Sequence, residues 1–319
     1  MNRLERYMQK VRQETDQYIK TELTRQFPKY LYDPIYYVIL NGGKKVRPTL
    51  VLLAAESFAV SRDQVMQLAV GIELFHIFSL VHDDIMDRDD FRRGKPTIHK
   101  QWDEATAILA GDGLIALSNI LMMSYKHSRI QEILAVYSQT ILSVCEGQAF
   151  DKEFEQRKDV SLDEYLKMIG LKTAWLLGAS VKIGAIIGSE KQSDWDNYFD
   201  FGYNLGIAFQ IQDDILDLFA NETELGKDIG SDLFNEKNSI LTIFAREMGQ
   251  LPTIDRNNKS ALDINSIKKQ FSDSGVLKKA VDLKETYTDK AKSHLTNFAE
   301  SEHKQIFSEL IEKLNSRAN

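Results

Sequence analysis

Twice in this chain an apolar helical stretch runs into three aspartates at the same spacing. Asp83, Asp84 and Asp87 follow Phe78-Ser79-Leu80-Val81-His82, and Asp213, Asp214 and Asp217 follow Phe209-Gln210-Ile211-Gln212. On a helix, residues three and four apart share a face, so each triplet crowds its carboxylates onto one surface. Like charges there repel by about 0.2–0.5 kcal/mol per pair, and by more when desolvated. The second triplet is set among Ile211, Ile215, Leu216, Leu218 and Phe219, where uncompensated carboxylates are unfavourable. Something positive must offset them. Oxygen-only donors suit a hard cation, and Mg²⁺ in particular binds one or two carboxylates while sharing its other positions between water and phosphate. A solvated acidic helix face explains one such triplet as readily as a metal site does, but it explains two copies with apolar flanks poorly. The likeness of the two strings hints at internal pseudo-symmetry and is too short to establish a repeat.

The remaining pattern is helical. Leu4, Met8, Val11, Ile19 and Leu23 recur at helical spacings and predict an amphipathic helix over 4–27, ended by Pro28. A short apolar stretch over 34–40 stops at Asn41-Gly42-Gly43, and Pro48 suits a first helical position. Ser61 with Gln64 forms a capping-box pair opening a helix to about 87, and Ser161 with Glu164 opens another ending near 188. Further helices are expected over about 103–126, 129–155 and 195–219. A polar loop over 220–238, a short helix after it and a surface loop over 251–261 follow. No run shows sustained period-two alternation, so the predicted class is all-α with strands at most incidental. No Pro-, Ser- or Gly-rich linker divides the chain, and residues 1–319 read as one large helical domain, at a length that would permit two.

Composition narrows the partners. A hydrophobic share of 43% supports a sizeable core, and a net charge of −7 argues against nucleic acid and offers no polybasic membrane patch. The single cysteine, Cys145, excludes an internal disulfide, fits a reducing compartment with cytoplasm as the default, and is expected to be buried packing rather than a nucleophile. The N-terminus shows no apolar signal-peptide core. No apolar run is expected to reach transmembrane length, the stretch 174–188 being interrupted by Lys182. A polyanionic ligand therefore needs local cations. Arg92 and Arg93 directly follow the first triplet, and arginine's planar fork suits phosphate oxygens. Lys44 and Arg47 follow a glycine turn that lets backbone approach an anion. Lys172, beside Thr173, interrupts the mostly apolar stretch 168–178, and Lys227 and Lys237 flank the loop after the second triplet. Each basic pair alone is more often solvated surface.

Taken together and in order, these motifs resemble the trans-isoprenyl diphosphate synthases of the polyprenyl synthetase family. The matching stretches are Gly42-Gly43-Lys44-Lys45-Val46-Arg47-Pro48, Glu73 with His76, Asp83 to Asp87 with Arg92-Arg93-Gly94, Gly147-Gln148 with Asp151, Lys172-Thr173, Phe209-Gln210 with the second triplet, and Gly226-Lys227 with Lys237. They span about residues 30–240, with weaker similarity beyond. The resemblance implies the isoprenoid synthase fold, a helical bundle around an apolar cavity, and a homodimer. It implies that Lys44, Arg47, His76 and Arg93 hold isopentenyl diphosphate, the homoallylic substrate. Arg92, Lys172, Lys227 and Lys237 would hold the allylic diphosphate, with Mg²⁺, three ions per site, on both triplets. Thr173 and Gln210 would offer oxygens to the developing allylic cation, and Lys172, Thr173, Gln210, Asp83 and Asp213 would carry catalysis. The implied reaction is ionisation, condensation and elimination, with release of pyrophosphate. Departures are Lys45, where arginine is common, the charged run Arg88-Asp89-Asp90, and a C-terminus without the basic tail that some farnesyl synthases fold over the site.

Product length should depend on residues one or two turns back from the first triplet. Phe78, five before Asp83, is bulky, Ser79 is small, and Phe75 lies a turn further down. By the family pattern this favours geranylgeranyl (C20) over farnesyl (C15) diphosphate, although periodicity alone reads Phe75 and Phe78 equally well as core aromatics. Two rival enzymes are weighed. Glu73/His76 and Glu300/His303 each have the Glu-x-x-His spacing of di-iron carboxylate bundles, but the second lies in polar sequence and that reading leaves both triplets unexplained. A class I terpene cyclase also ionises an allylic diphosphate, but usually lacks the second aspartate triplet. A non-catalytic partner of a two-component synthase would be expected to lose one triplet or its arginines. His82, His99, His127 and His294 form no convincing ligand set. Phe78→Ala is expected to lengthen the product, read by chromatography; an unchanged chain length refutes the pocket assignment.

Overall fold

A computed structural model describes residues 2–220, 230–235, 237–252 and 263–315. In chain order its helices are α1 (Arg3–Glu22), α2 (Lys29–Ile39), α3 (Val46–Glu56), α4 (Arg62–Asp87), α5 (Ile98–Gln101), α6 (Glu104–Ser124), α7 (Ile130–Phe154), α8 (Leu162–Ile169), α9 (Trp175–Gly188), α10 (Gln192–Phe219), α11 (Ser231–Phe234), α12 (Ile240–Glu247), α13 (Ile264–Asp273), α14 (Val276–Thr296) and α15 (Glu302–Asn315). The only strands among the described residues are a two-residue hairpin, β1 (Phe91–Arg92) with β2 (Lys95–Pro96), pairing Phe91 with Pro96 and Arg92 with Lys95. The class is all-α, as the periodicity predicts.

The capping signals lie where the sequence puts them. Glu164 accepts the Ser161 N–H at 2.9 Å while Ser161 accepts the Glu164 N–H at 3.3 Å, and Gln64 accepts the Ser61 N–H at 3.3 Å. Asp103 opens α6 by accepting from the Thr106 N–H at 2.7 Å. Two prolines are placed differently from expectation. α2 starts at Lys29, so Pro34 stands inside it, and α3 starts at Val46, so Pro48 is its third residue. The first four N–H groups of a helix have no acceptor within it, which is why Pro48 costs no bond, whereas Pro34, deeper in α2, forgoes one. α1 also ends at Glu22, earlier than its pattern suggests. The expected loops over 220–238 and 251–261 fall largely outside the described residues.

The chain forms two compact units, each drawn from distant stretches. The first comprises the described residues of Met1–Ser138, Ser180–Tyr198 and Ala299–Ile306; the second, those of Gln139–Ala179, Phe199–Phe298 and Phe307–Asn319. In the first unit α4 packs against α3 and α6 and is apolar almost all round, with Val65, Leu68, Ala69, Ile72, Leu74 and Phe75 fully buried. The second unit centres on Tyr165, Ile169, Ile207, Ile211, Phe244 and Phe271.

Three helical stretches prove long and apolar enough to cross a membrane by length and composition, contrary to the sequence expectation. They are Arg62–Asp87, Glu104–Ser124 and Leu162–Gly188. Two of them spend that character on the interior, with 72% of the apolar window buried, whereas α6 buries 44%.

The largest local surprise lies between α8 and α9. Gly170–Ala174 form a π turn, which interrupts the helix expected to run unbroken to 188 and carries Lys172 and Thr173. A widened turn of this kind recurs at functional sites. Backbone closes on it from two helices. A Cβ added to Gly147 of α7 would stand 2.2 Å from the Lys172 nitrogen, and one added to Gly206 of α10 would stand 2.5 Å from the Ala174 Cα. Because the obstructing atoms are backbone, neither clash is relieved by a rotamer change. Gly147→Ala is therefore expected to lose about 1–3 kcal/mol of stability, measured by denaturant unfolding; wild-type stability would show that the turn is not held by this contact.

Candidate active site

Both aspartate triplets occupy the C-terminal turns of their helices, α4 and α10. The negative end of the helix dipole lies there and adds to the mutual repulsion of the carboxylates. What offsets that repulsion differs between the units.

In the first unit Asp84 is buried, and Arg92 from the hairpin donates from Nε to its Oδ1 at 2.5 Å. Burial pushes the Asp84 carboxyl up to about 6, with Arg92 opposing and the neighbouring Asp89 and Asp83 adding to the rise. Arg92 also lies 3.6 Å from Asp89, so here it serves the acidic cluster directly. Asp83 and Asp87 are half-buried. A small cleft is lined by Asp84, Arg92, Arg93, Asn41 and Tyr37.

Basic residues gather around the glycine turn before α3. Gly42 and Gly43 have φ of +80° and +118°, a left-handed region that favours glycine. The Arg93 guanidinium lies directly over this turn. Its Nη1 donates to the Gly42 carbonyl at 2.6 Å, and a Cβ on Gly43 would collide with it at 2.6 Å. Arg47 Nη1 is 2.9 Å from His76 Nε2. A guanidinium can only donate, so Nε2 accepts, the imidazole is neutral and its proton sits on Nδ1. Burial, followed by the charges of Arg47, Arg93 and Arg92, holds the His76 pKa well below its usual value. Burial also lowers Arg47 to about 10, leaving it charged at neutral pH, and its buried Nε has no hydrogen-bond partner. Lys45, the departure from the family pattern, is turned inward, with Nζ 3.2 Å from the buried carboxylate of Glu73. Lys44 is exposed.

The second unit builds a hydrogen-bonded string. Thr173 donates to Gln210 Oε1 at 3.0 Å, and Gln210 Nε2 donates to Asp214 Oδ1 at 3.1 Å. The other Asp214 oxygen accepts from the Tyr165 hydroxyl at 2.7 Å and the Ile240 N–H at 3.0 Å. Burial, and then the adjacent Asp232, raises the Asp214 carboxyl to about 7 against these three bonds. Lys172 pairs with Asp151 at 2.6 Å, and Asp217 accepts the Asp232 N–H at 3.1 Å. An open cavity of about 620 Å³ is lined by Lys172, Thr173, Gln210, Asp214, Asp232 and Lys237. Lys227 lies outside the described residues. Tyr165, Asp151 and Asp232 were not singled out as site residues. The last two carried a signal, since Asp151 belongs to a matching stretch and Asp232 lies within the loop between Lys227 and Lys237.

Among the described residues no three His, Cys, Asp or Glu side chains converge at metal-binding geometry. The donors are nonetheless all oxygen, and a shell that leaves places for water and phosphate is what Mg²⁺ takes. The triplets fit it in chemistry. Neither Glu-x-x-His pair resembles a di-iron set: Glu73 faces Lys45 and His76 faces Arg47, while Glu300 meets Lys304 and His303 lies 3.8 Å from Glu56. Cys145 is exposed, not buried packing, because its side of α7 is uncovered.

Below the first triplet, Phe75 is fully buried and packs, tilted at 5.8 Å centroid distance, on the half-buried Phe78, which also meets His82 edge-on at 4.8 Å. Phe75 also meets Tyr137 edge-on. Ser79 donates to the His76 carbonyl at 2.9 Å.

A family model described as polyprenyl synthetase matches residues 28–284. The chain belongs to the polyprenyl synthetase family. It is 36% identical over 293 residues to a geranylgeranyl diphosphate synthase of Methanosarcina mazei, covering 91% of this chain and 90% of that one. It is 37% identical over 319 residues to a geranylfarnesyl diphosphate synthase of Natronomonas pharaonis, covering 94% of each. A solved geranylgeranyl pyrophosphate synthase aligns over 100% of both chains with a TM-score of 0.91 and 36% identity. The corresponding structure from Geoglobus acetivorans aligns over 98% of both, with a TM-score of 0.87 and 32% identity. The isoprenoid synthase fold expected of the family is the fold of this chain.

The raised carboxyls predict a pH dependence. Between about pH 4 and 7 the folded protein keeps protons on Asp84 and Asp214 that the unfolded chain releases, so their contribution to stability is lost as pH rises through that window. For metal-free protein, the melting temperature of wild type relative to Asp214→Asn should fall from pH 5 to pH 8, and Mg²⁺ with pyrophosphate should reverse the trend. A pH-independent difference would contradict the burial argument.

Proposed function

We propose that this polyprenyl synthetase condenses isopentenyl diphosphate with allylic diphosphates, head to tail and trans, to give a short-chain prenyl diphosphate and pyrophosphate. The observation that carries the reading is the string from Thr173 through Gln210 to Asp214, next to Lys172 on the same cavity. Oxygens and a cation thus share one cavity with the apolar side chains of Phe154, Met168 and Ile169.

In this reading Lys172, Lys227, Lys237 and Arg92 bind the allylic diphosphate, and Lys44, Arg47, His76 and Arg93 bind the homoallylic one. The aspartate carboxylates of the triplets would be the ligands of Mg²⁺, which when bound would supply the positive charge that offsets a departing pyrophosphate. Breaking the allylic C–O bond leaves a carbocation, and the lone pairs of Thr173 Oγ and Gln210 Oε1 face it. The isopentenyl double bond then attacks the allylic carbon, and the released pyrophosphate takes the proton. The Arg92–Asp84 pair exchanges its carboxylate partner for phosphate when substrate arrives. His76, neutral and accepting from Arg47, orients that arginine and offers its Nδ1–H. Phe75 and Phe78 close the growing chain's path, favouring geranylgeranyl over farnesyl product.

We also assign a homodimer and a cytoplasmic location. α6 exposes Ile108, Leu109, Ile120 and Met123, the last 71% accessible, an apolar stripe suited to a second copy.

The test is incubation of purified protein and Mg²⁺ with isopentenyl diphosphate and each of dimethylallyl, geranyl and farnesyl diphosphates. The expected result is pyrophosphate release and elongation to C20, abolished by chelation. Hydrocarbon formed without isopentenyl diphosphate would mark a terpene cyclase instead, and failure to extend beyond farnesyl would reverse the C20 preference.

A further inference from the structure

The cation cluster at the glycine turn extends beyond the residues that the family pattern supplies. Arg12, midway along α1, reaches the same turn. Its Nη2 lies 3.6 Å from the point where a Cβ on Gly42 would stand, and the Gly42 carbonyl is the one that accepts from Arg93. Two guanidiniums thus meet at one dipeptide. Burial foremost, and the like charges of Arg92 and Arg12 with it, lower the Arg93 pKa, while Glu73 and Asp84 oppose the shift.

Little protein charge balances Arg12. Its ion-pair partner among the described residues is Asp16, one turn along the same helix at 4.0 Å, the outer limit of such a contact. The Arg12 side chain is 55% exposed and is carried by a well-anchored element. Asn2 caps α1 by accepting the Glu5 N–H at 2.8 Å, and Leu4, Val11, Thr15 and Ile19 are buried beneath it. A mobile surface arginine would be spread over many rotamers. This one is directed at a backbone turn beside Arg47, Arg93 and Lys44.

We propose that Arg12 is a further specificity residue for the homoallylic diphosphate, a forked cation that α1 adds to the glycine turn beside Arg93. The proposal rests on the assignment of that diphosphate to the turn. A diphosphate presents more acceptor oxygens than Arg47 and Arg93 fill while each keeps an Nη1 contact to protein, to His76 and to the Gly42 carbonyl, and a further exposed guanidinium supplies forked donors for the rest.

The experiment is two-substrate steady-state kinetics on Arg12→Gln, Arg12→Lys and Arg47→Gln, each at low and high ionic strength. Arg12→Gln should raise KM for isopentenyl diphosphate about tenfold with the allylic KM unmoved, as loss of one charge-assisted contact does. Arg12→Lys should recover part of that loss, and the salt sensitivity of the homoallylic KM should shrink in Arg12→Gln. An unchanged homoallylic KM in Arg12→Gln, while Arg47→Gln raises it, overturns the role of Arg12 and leaves the site intact. Equal rises in both KM values would make Arg12 a structural residue of α1. If Arg47→Gln also leaves the homoallylic KM unmoved, the assignment of the turn itself falls.

Discussion

Carboxylates held against their own electrostatics are the constraint from which the rest of this structure follows. Asp84 and Asp214 are buried at the negative ends of two long helices, beside other acids, and burial raises both. Neither is left bare. Asp84 takes a guanidinium, and Asp214 takes three hydrogen bonds from a tyrosine, an amide side chain and a backbone N–H. These compensations differ in kind. A charge pair is exchangeable for another anion, whereas the neutral bonds around Asp214 fix its orientation without cancelling its charge. Asp84 is thereby left with an exchangeable partner, and Asp214 with a fixed orientation.

Much of this was legible in the sequence, and the reasons are local. The triplets, the capping boxes at Ser61 and Ser161 and the glycine turn are short-range patterns whose chemistry depends on spacing alone. The inward orientation of Lys45 was not legible, because nothing in Gly42-Gly43-Lys44-Lys45 says which lysine meets Glu73 thirty residues on. The use of Arg92 on Asp84 was equally hidden; sequence adjacency suggested a phosphate ligand, and only the hairpin shows where the side chain turns. Asp232 and Tyr165 were missed for the same reason, since both act through tertiary contacts with the second triplet. The exposure of Cys145 and the apolar reach of three helices were misjudged because a linear reading cannot say which faces are covered.

The tautomer of His76 illustrates how a donor-only neighbour determines chemistry. With Arg47 donating to Nε2, the ring contributes no charge to a cluster already dense in cations, and burial keeps it so. Positive charge near the turn is therefore carried by arginine and lysine, whose protonation does not vary across physiological pH. The charge of Arg47 is in this way insulated from modest acidification.

The π turn at Gly170–Ala174 sets a limit on how this enzyme can be altered. One residue is spent in widening the helix, so deleting Leu171 would let an unbroken α ladder form with the flanking helices still in phase, while the side chains of the turn itself would be redirected. Lys172 and Thr173 would then point differently from the way they line the cavity now, although both remained in the sequence. A change in the length of this stretch would thus alter the site even with its polar side chains kept.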